Sequence, residues 1–314
     1  MIALAARPAG AGLALAAVAL AATPDMDPSR ATPPADAARS APTIDELKRA
    51  SFGGLQVQSG TVTLVDGRWE GTPSAAGGSS RPRVDLVTDF RLAADLDGDG
   101  REEAVVLLAE SNGGSGVLVD LAVTARDGDA VRDLATVLLG DRVQVRDLRL
   151  VGATLVADLV RAGPGDAACC PGEMATRFFR LRQDLLEEIP SGAAPTRLSP
   201  AALEGVEWVL RRWSSTEPAS AQPEVTLTYK EGRISGQAGC NSYFAAVTGK
   251  APGAIAVGPA GTTRMACQPE FMAVEKRFLA ILPRIDRYSF LAGQLALSYD
   301  QDGAPASITL ARRK

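Results

Sequence analysis

Between Val57 and Leu186 apolar and polar positions alternate in short runs broken by glycine. "RVQVRDLRLVG" and "ATLVADLVRAG" carry the two-residue period of half-buried strands. Asp66-Gly67 in "TVTLVDGRWEG" and Asp127-Gly128 between "VLVDLAVTA" and "AVRDLATVLLG" are hairpin signals, because both turn positions tolerate positive φ. One short helix precedes them: in "TIDELKRASF" Thr43 stands three residues before Glu46, the spacing of a capping box. Residues 44–187 are therefore expected to form a β-rich domain. "IPSGAAPTRLSPAA" has the composition of a boundary and places a linker at 188–201. A second β-rich domain, 202–312, follows, with one strong helix in "QPEFMAVEKRFLAIL". There Phe271, Val274, Phe278 and Ile281 recur at three- and four-residue steps, Pro269 suits the first turn and Pro283 stops the pattern. The fold class is mainly β (α+β).

The first residues stand apart from this pattern. Arg7 is the single charge before Asp25, and "AGAGLALAAVALAA" has the length of a signal-peptide apolar region ending near Ala19-Leu20-Ala21. Residues 1–21 are read as a signal peptide and 22–43, rich in Pro, Ala and Asp, as a disordered tether. The expected location is periplasmic or secreted. The run is too short to span a bilayer, no later segment is apolar enough, and no cysteine near the cut marks a lipid anchor. With 33 basic and 37 acidic residues the chain carries a net charge of −4, which argues against nucleic acid as a partner. The chain contains no histidine. That excludes Ser-His-Asp and Cys-His catalysis and the histidine-bearing catalytic zinc sites.

Candidate chemistry concentrates in "DLDGDGREE". Asp95, Asp97 and Asp99 occupy alternate positions, Gly100 supplies the bend, Arg101 can offer its carbonyl, and Glu103 stands at position nine. Position 12 is Val106, so the loop is not an EF-hand. The spacing resembles the D-x-D-x-D-G-x-x-D loop of FG-GAP and integrin-type repeats, which joins two strands and holds calcium. Alternate side chains of a coiled loop converge, and a Ca2+ ion relieves the repulsion of the gathered carboxylates. The competing reading is a solvated Asp-Gly turn. Other Asp-Gly turns lack the ligand spacing, so no propeller repeat is present. "AESNGGSG" lacks the Lys-Ser/Thr pair of a phosphate loop and reads as a glycine-rich turn.

In the second half, "LEGVEWVL", "GQAGCNSYFA", "TTRMACQPEFMAVEKRFLAIL" and "YSFLAGQLALSY" together resemble the META domain, the HslJ-like heat-shock family. The resemblance implies a small β-barrel-like fold with one packed helix and a stress-response setting, but no agreed reaction. Four cysteines allow three pairings. Because Cys240 and Cys267 lie in two pieces of the META signature, they are paired here. The adjacent Cys169 and Cys170 then remain, as a vicinal disulfide or a buried thiol pair.

These readings favour an exported cell-envelope protein acting as a non-enzymatic binding or stress-tolerance module. Its partner would be an envelope protein or an apolar ligand. Trp208, Trp213, Tyr229 and Tyr243 are each read first as core; one or two of them left exposed beside the barrel mouth or an unpaired edge would supply a partner-binding surface. One alternative is a surface-polymer hydrolase with an Asp/Glu acid-base pair, which requires two carboxylates across a cleft. The other is a structural spacer. A binding module requires an apolar groove with few titratable groups.

Overall fold

The computed structural model describes residues 40–57, 60–73, 78–167, 169–249 and 251–313. The signal peptide expected over 1–21 and most of the tether expected over 22–43 lie outside the described residues. The last residues of that tether belong to the fold: Ala41 and Pro42 are buried, and their carbonyls accept hydrogen bonds from the Arg91 guanidinium at 3.0 and 2.6 Å. Their backbone is claimed by a side chain of the sheet, so ordered chain precedes Ile44.

The expected first helix is a single turn, α1 (Ile44–Leu47), with its capping box formed between Thr43 and Glu46. It ends early because Ala50 and Phe52 are drawn into the core as the chain enters β1 (Ser51–Phe52), which pairs with β2 (Val62–Thr63). The next strands are β3 (Arg68–Glu70), β4 (Arg83–Leu86), β5 (Leu92–Ala94), β6 (Glu103–Ser111), β7 (Leu118–Asp127) and β8 (Ala130–Asp141). They form an antiparallel sheet in the order β3-β4-β6-β7-β8, with β5 also on β6. A second sheet runs β12-β11-β10-β9 through β9 (Gln144–Val151), β10 (Thr154–Arg161), β11 (Glu173–Arg182) and β12 (Leu185–Ile189). Strand β6 is buried on both faces. Val105 and Leu107 join Leu121, Leu155, Leu159 and Phe179 between the sheets, while Val106 and Leu108 pack under Leu47, Phe52 and Val62. Double coverage explains why "AVVLL" is an unbroken apolar run rather than an alternating one.

The stretch expected as a linker at 188–201 is held in place. Strand β13 (Thr196–Arg197) returns to pair with β11, and Leu198 is buried. Backbone pairing outweighs the loop-like composition there.

A 3₁₀ turn (Pro200–Leu203) leads into β14 (Glu207–Arg212), β15 (Thr226–Lys230), β16 (Arg233–Gln237), β17 (Ser242–Thr248), β18 (Ala256–Val257) and β19 (Gly261–Thr262). After α2 (Pro269–Ile281) come β20 (Ile285–Leu291), β21 (Gln294–Gln301) and β22 (Ala304–Arg312). The sheet order is β18-β17-β16-β15-β14-β22-β21-β20. Its ends meet: Ile255 N–H donates to Asp286 O and Tyr288 N–H to Gly253 O, each at 2.9 Å. The result is barrel-like, with Phe278 and Ile281 of α2 in its core and Phe271 and Val274 half-buried.

Ala35–Lys314 is one compact unit. Where the two halves meet, Ala292 at the β20–β21 turn enters the core of the first half and Gly293 N–H donates to Val145 O at 2.8 Å. Phe290 N–H donates to Gln144 Oε1 at 2.9 Å.

Candidate functional site

The acidic loop joins β5 to β6. Asp95, Asp97 and Asp99 are exposed, and one carboxylate oxygen from each lies within 4.8 Å of the others. The sequence folds this way because Gly98 and Gly100 take positive φ (85° and 84°) and the aspartates bond the loop's own backbone. Asp95 accepts from Gly98 and Gly100 N–H at 2.7 and 3.1 Å, Asp97 from Asp99 N–H at 3.0 Å, and Asp99 from Arg101 N–H at 2.8 Å. Clustered hard oxygens suit a divalent cation that prefers oxygen ligands. The three aspartates are thus brought together as the sequence spacing suggests.

Glu103 is placed differently. Glu103 is buried beneath the loop, and its Oε2 accepts from Leu96 N–H at 2.8 Å. Burial first, and then the charges of the three aspartates, push its carboxyl up to about 7 against the hydrogen bond from Leu96. The Arg101 guanidinium lies 3.5 Å from Asp99 Oδ2, a solvated pairing.

The META signature residues form a clasp. Asn241 is buried; its Nδ2 donates to Glu275 Oε2 at 3.0 Å and to Met265 O at 3.2 Å, and its Oδ1 accepts from Thr263 Oγ1 and Met265 N–H, both at 2.7 Å. Glu275, also buried, accepts from Asn241 N–H at 2.8 Å. Gly239 sits at φ 111°, and a side chain there would meet Phe271 O at 3.1 Å. The disulfide Cys240–Cys267, with a Cα separation of 5.9 Å, closes the same junction. Together these residues tie the start of β17 to the 263–267 loop and to α2. The helix periodicity did not reveal Glu275 as a buried partner; an acid directly after Val274 of the apolar stripe was the available signal.

Two cavities lie in the META barrel and at its junction with the first half. One of about 490 Å³ is lined by Trp213, Glu217, Arg277, Tyr299, Gln301 and Ser307. Glu217 is the one carboxylate among its lining residues, and Arg277 grips it with two hydrogen bonds while stacking 4.4 Å from the Trp213 ring. The other, about 270 Å³, lies where the β20–β21 turn meets the first half. Leu107, Val119, Val143, Phe290 and Leu291 line it, and Arg142 is its one ionisable lining residue.

The core reading of Trp208, Trp213, Tyr229 and Tyr243 holds, and none of the four is left exposed as a partner-binding surface. Trp208, Trp213 and Tyr243 are buried and Tyr229 is half-buried against the same core, because the closed sheet needs large side chains to fill it. The exposed apolar side chains at the cleft are Val117 and Leu291, at 40% and 59% exposure.

Cys169 and Cys170 form a vicinal disulfide in the loop between β10 and β11. Among the described residues no helix is long and apolar enough to cross a membrane.

Residues 201–311 match the META domain family. Among solved structures, the NMR structure of a protein from Burkholderia xenovorans is 28% identical, spanning 40% of this chain and 96% of that one, with a TM-score of 0.30. A second NMR structure is 20% identical, over 36% of this chain and 94% of its own, with a TM-score of 0.29. No curated protein sequence matches the chain. The C-terminal third of this protein carries a META-domain fold.

Proposed function

We propose that the protein is an exported, non-enzymatic binding module of the cell envelope. In this reading it takes an apolar ligand in the cleft between the β-sandwich and the META barrel. The observation that carries the proposal is the chemistry of that cleft: a lining apolar but for Gln144 and Arg142, with exposed Val117 and Leu291 at its edge, and a single ionisable group, Arg142, already paired with Asp141 at 2.5 Å. Such a lining binds by excluding water and offers no acid-base pair. Neither of these two cavities has two lining carboxylates, which is what glycoside hydrolysis would need; a third, of about 290 Å³, is lined by Glu46 and Asp129, but Arg126 holds the Glu46 carboxyl well below the usual carboxylate range, which unfits it as a general acid.

The test uses mature protein from the envelope fraction, whose N-terminus should lie near Ala22. Titration with the fluorescent fatty acid cis-parinaric acid should saturate, with a Kd on the order of micromolar. Leu291→Asp and Val117→Asp, both at exposed positions, should weaken it at least about tenfold, since an unpaired charge replaces apolar contact. Equal affinity in all three proteins would remove the cleft from the proposal.

The acidic loop has a stabilising role in the same proposal. Calcium bound by Asp95, Asp97 and Asp99 fixes the β5–β6 connection. At free calcium one hundredfold above Kd, binding should add about 2.7 kcal/mol to the folded state. Urea denaturation in calcium and in chelator should differ by that order, and Asp97→Ala should erase the difference. Superimposable curves for the native protein would leave a plain turn.

A further inference from the structure

We propose that the Cys169–Cys170 disulfide is a thiol-exchange site at which a small thiol attacks Cys169 while Arg287 of the META barrel holds the departing Cys170 sulfur. Three observations carry it. First, the two cysteines are unequal: Cys169 is an exposed residue, whereas Cys170 is half-buried. Second, Arg287 Nη2 lies 3.6 Å from Cys170 Sγ. Among the described residues this guanidinium has no carboxylate partner, so its charge is available to that sulfur. A cation beside a sulfur stabilises its thiolate and makes it the better leaving group. Third, the base of the loop is fixed independently of the bridge. Asp166, its side chain 5% exposed, accepts from Gly163 and Gly172 N–H at 2.8 and 2.9 Å and pairs with Arg197 at 2.6 Å. Opening the disulfide therefore leaves the loop seated.

The other bridge has the opposite character. Cys240 is 5% exposed within the Asn241–Glu275 clasp and Cys267 is half-buried, so neither sulfur of this bridge belongs to a residue as open as Cys169. Exchange is thereby directed to one of two disulfides in the same chain.

The chemistry balances with thiols alone. A thiolate RS⁻ forms a bond to Cys169 Sγ as the Cys169–Cys170 bond breaks, and the electron pair moves to Cys170 Sγ beside Arg287. A second thiolate then attacks the R sulfur of the mixed disulfide, releasing RSSR and the Cys169 thiolate. Two thiols have been oxidised and one bridge reduced. The group that stabilises the leaving sulfur comes from β20, beside a bulge between Ile285 and Arg287, so the site is complete only when the META barrel is docked on the first half.

The test incubates the full oxidised chain with reduced glutathione at pH 8, quenches with acid and N-ethylmaleimide, and maps the tryptic peptide from Ala162 to Arg177 together with those holding Cys240 and Cys267. The expected result is glutathione on Cys169, a trapped thiol on Cys170 and an intact Cys240–Cys267 bridge. Arg287→Ala should slow the opening at least about threefold with an unchanged circular dichroism spectrum, and Arg287→Lys should recover part of the rate. Glutathione predominantly on Cys170, equal opening of both bridges, or an unchanged rate in folded Arg287→Ala would overturn the proposal. So would free thiols at Cys169 and Cys170 that a mild oxidant does not close.

Discussion

Replacing Cys240 and Cys267 together with alanine should lower the stability of the full chain by about 3 to 4 kcal/mol, the chain-entropy value for a loop of this span. The bridge joins positions 27 residues apart and is one of three ties at the same junction, with the Asn241–Glu275 hydrogen bonds and the close approach at Gly239. Without it, the 263–267 loop and the start of α2 gain freedom in the unfolded chain, while the folded contacts stay nearly the same. Urea denaturation followed by tryptophan fluorescence reads this junction, since Trp208 and Trp213 are both buried in the barrel core. Glu275→Gln provides an independent measure. It places an amide group against the donors of Asn241 and should cost roughly 2 kcal/mol, because a buried donor then loses its acceptor. A double alanine variant within about 1 kcal/mol of native would contradict the loop-closure estimate and show that the junction holds without its covalent tie.

The second large effect lies in the first half. Asp120 on β7 is fully buried, and neither of its carboxylate oxygens has a hydrogen-bond partner. Nearby Glu110 on β6, equally buried, accepts from Gln56 and Val57 N–H at 3.1 and 2.8 Å. Burial, followed by the neighbouring Glu110 carboxyl, pushes Asp120 up to about 8 from 3.8. Between those two values the folded chain holds a proton that the unfolded chain has released. Stability contributed by this group is complete below pH 4, falls as pH rises through the window, and levels off above pH 8. Asp120→Asn keeps the shape and removes the charge. Its advantage over the native protein should grow by roughly 2 kcal/mol between pH 5 and pH 8, because each unit of separation in pKa is worth about 1.4 kcal/mol before any relaxation of the site. Parallel pH profiles for the two proteins would mean that Asp120 ionises within the fold at its ordinary value.

Much of the local organisation was legible from residue order. The stripe Phe271, Val274, Phe278 and Ile281, with Pro269 before it and Pro283 after it, specified α2, because helix periodicity and the missing N–H of proline act over a few residues. The alternate aspartates and the two glycines likewise specified a coiled acidic loop, since each aspartate bonds a backbone N–H two to five residues away. Glu103 escaped this reasoning. Its spacing suits a ligand, yet it is the first residue of β6, and the pleat of that strand carries it into the interior. The 188–201 segment misled for a related reason: its composition is that of a loop, but β11 offered an unpaired edge that Thr196–Arg197 could fill.

What the chain determined by itself is therefore short-range: strands, turns, α2, the gathering of Asp95, Asp97 and Asp99, and the META character of residues 201–311. The elements and the loop follow from backbone geometry and contacts between near neighbours, and the META character from the resemblance of its motifs to the family. Only the tertiary structure decided what meets across distance. It set Phe290 and Leu291 against Val119 and Val143 to make a cleft, brought Arg287 to Cys170 from 117 residues away, and buried Asp120 near Glu110. Such contacts depend on how sheets stack and which strand edges close, a property of the whole packed core rather than of any one segment.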